Sequence, residues 1–440
     1  MTEQTEASLS LADPHPPELD ATEKSGLALL GIGLLVFLLS LSGRSTGFAL
    51  CDLAFSVGSI FAGALLYGTR HHLRRPAGIQ NNGMMSGSVT ARGAAGWILG
   101  VALTAGYIVL YWYPAKLSGP IRMHDPLSHF LRGRPADQWF LYGTLYTVAI
   151  LAMGAKAIAR YRHSRYQVIR TLAIMIAQLF FAYLIPSVLQ LFHEPEYYFS
   201  YFWPLKYDYL FPSTLHGLRS HPGRLGAFMA WWGILISFVA VPVLTYFFGK
   251  RWYCSWVCGC GGLANTAGDS FRQLSSKKLA AWRLERWSIH LVLVFITLTT
   301  AMLWANSYQQ GKLLGEWSVT FSKWYGFYIG ALWSGVIGVG FYPILGTRVW
   351  CRFGCPQAAI LGILQRFFSR FRITTNGGQC ISCGNCSTYC EMGIDVRWYA
   401  QRGRNIVRAS CVGCGMCATV CPRGVLNLEN GPVAGRIDRG

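Results

Sequence analysis

The sequence predicts an α-helical integral membrane protein of about eight transmembrane helices, ending in a small, thiol-rich α+β domain. Three observations carry this reading. Of 440 residues, 52% are hydrophobic and 13% charged, with 16 Trp and a positive mean hydropathy, the profile of a chain dissolved in lipid. Apolar runs near the roughly 20 residues needed to cross the hydrocarbon recur as far as position 346. Of the 14 cysteines, all but Cys51 lie after residue 253, most of them in paired or fourfold motifs.

Residues 1–23 are acidic, contain Pro and lack aromatics, so they are expected to form a disordered cytoplasmic tail. The first apolar run follows acidic residues without a small-residue cleavage site and reads as a retained anchor. Eight spans are expected, at 25–43, 48–68, 93–113, 138–158, 170–192, 225–248, 287–306 and 326–346. About five of them make an amino-terminal membrane domain, 24–224, and the rest belong to a second membrane domain, 225–356.

Lys and Arg orient the spans, because positive loops stay on the cytoplasmic side. The connections 69–92, 156–169 and 249–286 hold 4, 4 and 7 such residues, against 1, 4, 3 and 2 in 44–47, 114–137, 193–224 and 307–325. Both termini are therefore expected inside a bacterial inner membrane, with the thiol-rich end cytoplasmic. The net charge of +20 reads as an inner-leaflet signature, with membrane lipid and not nucleic acid as the partner. The segment 193–212 holds nine aromatics in twenty residues and reads as an interfacial belt or re-entrant segment in preference to a docking surface. Cys51 reads as a small buried hydrophobe.

After Pro356, residues 357–372 place Ile360, Leu361, Ile363, Leu364, Phe367, Phe368 and Phe371 on one stripe, with Arg366 and Arg370 off it. This is expected to be an amphipathic helix lying on the inner surface.

The final domain, 373–430, carries C-x2-C-x2-C-x3-C twice, as Cys380, Cys383, Cys386, Cys390 and as Cys411, Cys414, Cys417, Cys421. Two-residue gaps let three thiolates of one turning loop converge on a cluster, while the fourth reaches the neighbouring one. The expected ligands are thus Cys380, Cys383, Cys386 and Cys421 for one [4Fe-4S] cluster, and Cys411, Cys414, Cys417 and Cys390 for another. Zinc ribbons use two C-x2-C pairs and lack this doubled fourfold pattern. Glu391 stands where Pro normally follows the fourth Cys. The domain reads as a small α+β two-[4Fe-4S] ferredoxin-like module.

A second pattern is internal: 249–259 (GKRWYCSWVCG) and 346–356 (GTRVWCRFGCP) align as G-x-R-x-aromatic-C-x3-C, each after an apolar span containing Pro. Cys254, Cys258, Cys351 and Cys355 would form a further four-thiol site if the two spans are neighbours, with Cys260 as an extra thiol. Metal or cluster ligation, reversible dithiol chemistry and a structural role all fit this spacing. His290 alone lies well within a span, so bis-His haem is not expected; C-x-x-C-H and Walker A motifs are absent from the sequence.

Residues 225–425 resemble the NapH/NosR family of membrane-bound polyferredoxins, with the MauN type and, more distantly, the CcoG/RdxA type as relatives. The resemblance implies electron transfer between the quinone pool and a partner redox protein, with Cys254, Cys258, Cys351 and Cys355 at the family's paired positions. Gly259 departs from the usual Pro after the first pair. Position at the inner boundary suggests Arg251, Trp252, Arg348 and Trp350 as a quinone interface. The rival readings are a metal (copper) reductase or maturation factor, and a redox sensor or anchor subunit of a membrane complex.

Overall fold

The computed structural model describes residues 18–43, 48–79 and 89–432. Of the expected disordered tail, 1–17 lie outside these. The remainder is corrected by the structure, because Asp20 caps helix α1 (Ala21–Leu41): its Oδ1 accepts from Glu23 N at 2.8 Å, and Glu23 Oε2 accepts from Asp20 N at 2.9 Å. This reciprocal capping box satisfies two otherwise orphaned donors. Glu23 also pairs with Arg74 at 2.6 Å, so the acidic residues start a helix and fasten it to the basic end of the next.

Seven helices are long and apolar enough to cross a membrane: α1, α2 (Ala49–Leu73), α3 (Ala94–Trp112), α4 (Gln138–Arg160), α5 (Arg165–Leu191), α6 (Leu225–Phe248) and α7 (Leu279–Tyr308). The eighth expected span is also helical. As α8 it joins Glu316–Tyr325 to a π-type stretch, Gly326–Gly340, and its Gly and Trp content leaves it less apolar than the other seven. Small residues let backbones approach: a Cβ on Gly63 would lie 2.6 Å from the Gly26 carbonyl oxygen, so α1 and α2 meet through glycine. Cys51, expected inside, is exposed, on the outward side of α2.

The aromatic segment 193–212 turns into the bundle. Tyr197, Phe202 and Tyr209 are buried, and Tyr253 donates its hydroxyl to the Ser200 carbonyl at 2.8 Å. These rings pack on one another and on the neighbouring chain, Tyr197 against Tyr209, Phe199 against Trp232 and Phe202 against Trp252.

The sequence repeat is a structural repeat. In each copy a helix stops at a glycine with positive φ, Gly249 (+67°) or Gly346 (+88°), a conformation costly to residues with a Cβ. A short helix follows, Arg251–Cys254 or Val349–Phe353, and the last Cys of each pair precedes a further helix, Gly259–Asn265 or α9 (Pro356–Phe368). The first of these helices packs against α4 and α5, where Gly262 lies against Ile150 and Ile174.

Helix α9, expected to lie on the inner surface, buries one of its faces in protein. Arg366, Phe367 and Phe368 are exposed, but Ala358, Leu361, Gly362 and Gln365 are buried, and a Cβ on Gly362 would come within 2.5 Å of the Ala409 carbonyl. The helix is wedged between the bundle and the terminal module. Gln365 ties the two: it accepts from Lys250 N at 2.7 Å and donates to the carbonyls of Arg408 and Cys411, each at 2.8 Å. Phe371, expected on the same stripe, instead opens strand β1 (Phe371–Thr375), because the helix ends three residues earlier. Strand β2 (Leu426–Asn430) pairs antiparallel with it, Phe371 opposite Asn430 and Thr375 opposite Leu426, and closes the module between these two strands.

Candidate iron–sulfur centres

Two cavities in the module are lined by four thiols each. One takes Cys380, Cys383 and Cys386 with Cys421; the other takes Cys411, Cys414 and Cys417 with Cys390. The chain achieves this with left-handed residues inside each loop, Ser382 and Gly384 in one, Gly413 and Gly415 in the other, which turn successive thiols inward. A short helix, Asn385–Thr388 or Met416–Thr419, then carries the fourth Cys across to the other cavity. Backbone N–H groups point at the crossing sulfurs: Ile394 N donates to Cys390 Sγ and Val425 N to Cys421 Sγ, both at 3.4 Å.

The donor set fits [4Fe-4S] clusters. Burial pushes the Cys386 and Cys390 thiols up to about 11 and Cys411 up to about 12, so as bare acids they would stay protonated; cationic iron supplies the charge that makes such groups thiolate ligands. Among the described residues no three His, Cys, Asp or Glu side chains converge as a single-ion site. The two cavities differ in exposure. Cys383 is exposed, while Cys411 and Cys417 are buried.

Glu391, noted for replacing a Pro, lies against the second cavity. It is 1% exposed and pairs with Arg272 at 2.6 Å and Arg348 at 3.0 Å. Burial raises its carboxyl, but the guanidiniums of Arg348, Arg272 and Arg170 outweigh this and hold it below the usual carboxylate range. Arg272 pairs in turn with Asp269 at 2.7 Å, which also receives Arg160 at 2.7 Å and the Tyr161 hydroxyl at 2.9 Å. Both carboxylates thus have the multiple partners that a buried charge needs.

Arg348 leads on to the third group of thiols. Its Nη1 donates to the Cys254 carbonyl at 3.2 Å and lies 3.6 Å from Cys351 Sγ. Cys254 and Cys351 meet at Arg348, and the Cys355 thiol is pushed up first by burial and then by Cys351, Cys254 and Cys258. Ala358 N donates to Cys355 Sγ at 3.4 Å. Cys260 is drawn in as well, and its hydrogen bond is the main cause lowering Cys258.

The four residues suggested for a quinone interface serve other contacts. Arg251 stacks over Phe371 at 4.6 Å; Trp252 stacks on Phe202 and donates to Thr245 at 3.0 Å; Arg348 is buried among the thiols; Trp350 is buried beside Trp333 and Gly354. Sequence reasoning passed over Asp269, Arg272 and Glu285, which pairs with Arg352 at 2.6 Å. Their signal was present as charge within the connection 249–286, but a loop count carries no information about pairing.

Apolar helices of this length, closed by a doubled four-thiol module, define an iron–sulfur protein of the multi-pass membrane class. Comparison with known families agrees: a 4Fe-4S dicluster domain matches residues 379–426, and a 4Fe-4S binding domain matches twice, at 230–279 and 325–374, the two copies of the repeat. The chain is similar to the electron transport protein YccM of Escherichia coli (27% identical over 173 residues, 37% of this chain and 46% of that protein). It is also similar to the methylamine utilization ferredoxin-type protein MauN of Methylobacillus flagellatus (26% over 166 residues, 36% and 53%). The chain spans about half the length of these curated relatives. No solved structure matches.

Proposed function

We propose that this protein relays electrons between the membrane quinone pool and a partner redox protein, as a NapH/NosR-type polyferredoxin of a bacterial inner membrane. The observation that carries the reading is the exchange of the fourth cysteine between the two loops, which gives each cavity four thiols and sets the cavities side by side. In this reading Cys380, Cys383, Cys386 and Cys421 hold one [4Fe-4S] cluster, and Cys411, Cys414, Cys417 and Cys390 hold the second. Cys254, Cys258, Cys351 and Cys355 hold a further centre, supported by the 4Fe-4S binding domain matched over both copies of the repeat.

When bound, such clusters supply one-electron redox chemistry at potentials set by burial and hydrogen bonds to sulfur. The chain's own residues do the rest. Ile394, Val425 and Ala358 donate N–H groups to thiolates, Arg348 places positive charge between the module and the repeat, and the strands and α9 exclude water. The basic connections 69–79, 156–169 and 249–278 gather on the face that carries the module: Arg162 donates to the His72 carbonyl at 2.8 Å and Gln167 to that of Cys414 at 3.0 Å. By the positive-inside bias this face is cytoplasmic.

Anaerobic iron and sulfide quantitation with low-temperature paramagnetic resonance, with and without quinol, tests the reading on the detergent-purified protein. About twelve irons support three centres, about eight restrict the clusters to the module, and zinc in place of iron overturns the proposal.

A further inference from the structure

A cavity of about 590 Å³ runs through the membrane domain. One end lies away from the module, beside the ion pair of Arg132 and Asp137 (2.8 Å). The other ends on Cys258, Gly259 and Cys260, at the third group of thiols. Helices α4 and α5 form much of the wall. Over Ala177–Leu184, α5 widens to π-type hydrogen bonding, a distortion that gathers at functional positions, and this stretch contributes Gln178.

Gln178 is 5% exposed; its amide nitrogen donates to Thr147 at 3.0 Å, while its amide oxygen has no partner. A buried, unsatisfied acceptor is costly and points to a donor that arrives with a ligand. Tyr146 and Tyr201 line the same space, and among the described residues neither hydroxyl is tied to the protein by a hydrogen bond. A Cβ built on Gly259 would lie 3.4 Å from Gln178 Oε1 and 3.9 Å from the Tyr146 hydroxyl, so both oxygens overhang one floor.

These features select a ligand class. A metal cation would meet Arg132, Arg134 and Lys206 on the way in, against Asp137 and Glu196. An anion would find hydroxyls and thiols at the floor but no cation. A neutral, planar ring with hydroxyl or carbonyl oxygens suits an aromatic wall with few convergent polar groups.

We propose that this cavity binds the ring of a membrane quinol, one hydroxyl donating to the Gln178 amide oxygen above Gly259, beside Cys258 and Cys260. The proposal rests on the quinone reading above and adds to it the residues that hold the carrier, at the thiol end of the cavity. It also gives the departure at Gly259 a role, since a Pro ring there would fill the floor.

Gly259→Pro is the direct test. In the second copy Pro356 follows Cys355 (φ −78°, ψ 118°), and Cys258 already has the matching conformation (φ −64°, ψ 127°) that suits a residue before Pro; Pro is also welcome in the first turn of a helix. With the full chain in nanodiscs and a short-chain naphthoquinol as probe, Gly259→Pro should weaken binding at least tenfold and Gln178→Leu several-fold. Iron content and the dithionite-reduced paramagnetic spectrum should stay unchanged. A photoreactive naphthoquinone on the unaltered protein should label peptides from 138–160, 165–191 or 251–265. Unchanged affinity in both variants, or label confined to other peptides, overturns the placement and leaves the quinone reading standing. No binding of the probe by the unaltered protein overturns both.

Discussion

Arg348 stands where two groups of thiols meet, with one edge on Glu391 and the other on Cys351 and the Cys254 carbonyl. Arg348→Gln removes one partner of a buried ion pair, a change that costs about 3–5 kcal/mol. It also withdraws positive charge from the thiolates, so the midpoint potential of the nearest centre should fall by on the order of 60 mV, one tenfold change for a one-electron couple. Potentiometric titration of the paramagnetic signals measures this. Asp269 gives a prediction in pH. Burial raises its carboxyl, but Arg160, Arg272 and Lys156 outweigh that and hold it well below the usual range. A depressed folded-state pKa contributes stability that is fully present above the unfolded value, about 3.9, and is lost as pH falls through the folded one. Thermal unfolding between pH 5 and 7 should therefore be indifferent to this group. Asp269→Asn should destabilise by about 3–5 kcal/mol at neutral pH and shrink the difference from the unaltered protein in acid.

At the scale of elements, the crossing of Cys390 and Cys421 makes the two thiol loops one unit. Cys390→Ser and Cys411→Ser should each lose the same paramagnetic signal and about four irons, and combining them should lose no more. Cys380→Ser with Cys390→Ser should lose about eight; the reverse pattern would mean that each loop holds its own cluster. Helix α9 fits the module through Gly362, so Gly362→Val should loosen that seat by about 1–3 kcal/mol, read as faster hydrogen exchange in α9 and the 405–411 loop with the bundle unaffected.

How much of this was legible varies with the kind of signal. Apolar length placed the seven spans, and thiol spacing alone grouped the eight cysteines as the module cavities group them, because both depend on local periodicity. The burial of α9 was not legible, since a stripe of Leu and Phe reads the same against lipid as against protein. Phe371 was misplaced because nothing in 369–372 announces where a helix yields to a strand. Arg251 and Trp252 looked interfacial by position, but partners such as Phe371 and Phe202 lie 120 and 50 residues away. Gln178 was invisible for a different reason: its distinction is a missing partner, and a missing partner has no sequence pattern.

For the whole molecule, the face with the module also holds the basic connections and the paired carboxylates Asp20, Glu23, Asp269, Glu285 and Glu391. Reporter fusions after residue 432 and accessibility labelling of Cys383 should both place this face in the cytoplasm, while a label engineered at Ser220 should react from the outside. The reverse pattern would place the module outside and overturn the proposed topology.

The exchanged cysteines also set an order of manufacture. The second cavity gains its last thiol at residue 417 and the first at residue 421, so on a ribosome neither can be finished until helices α1 to α8 have been synthesised. The iron must therefore arrive at a chain already in its bilayer, and a translation product cut short before residue 417 would be delivered to the membrane with neither nest complete.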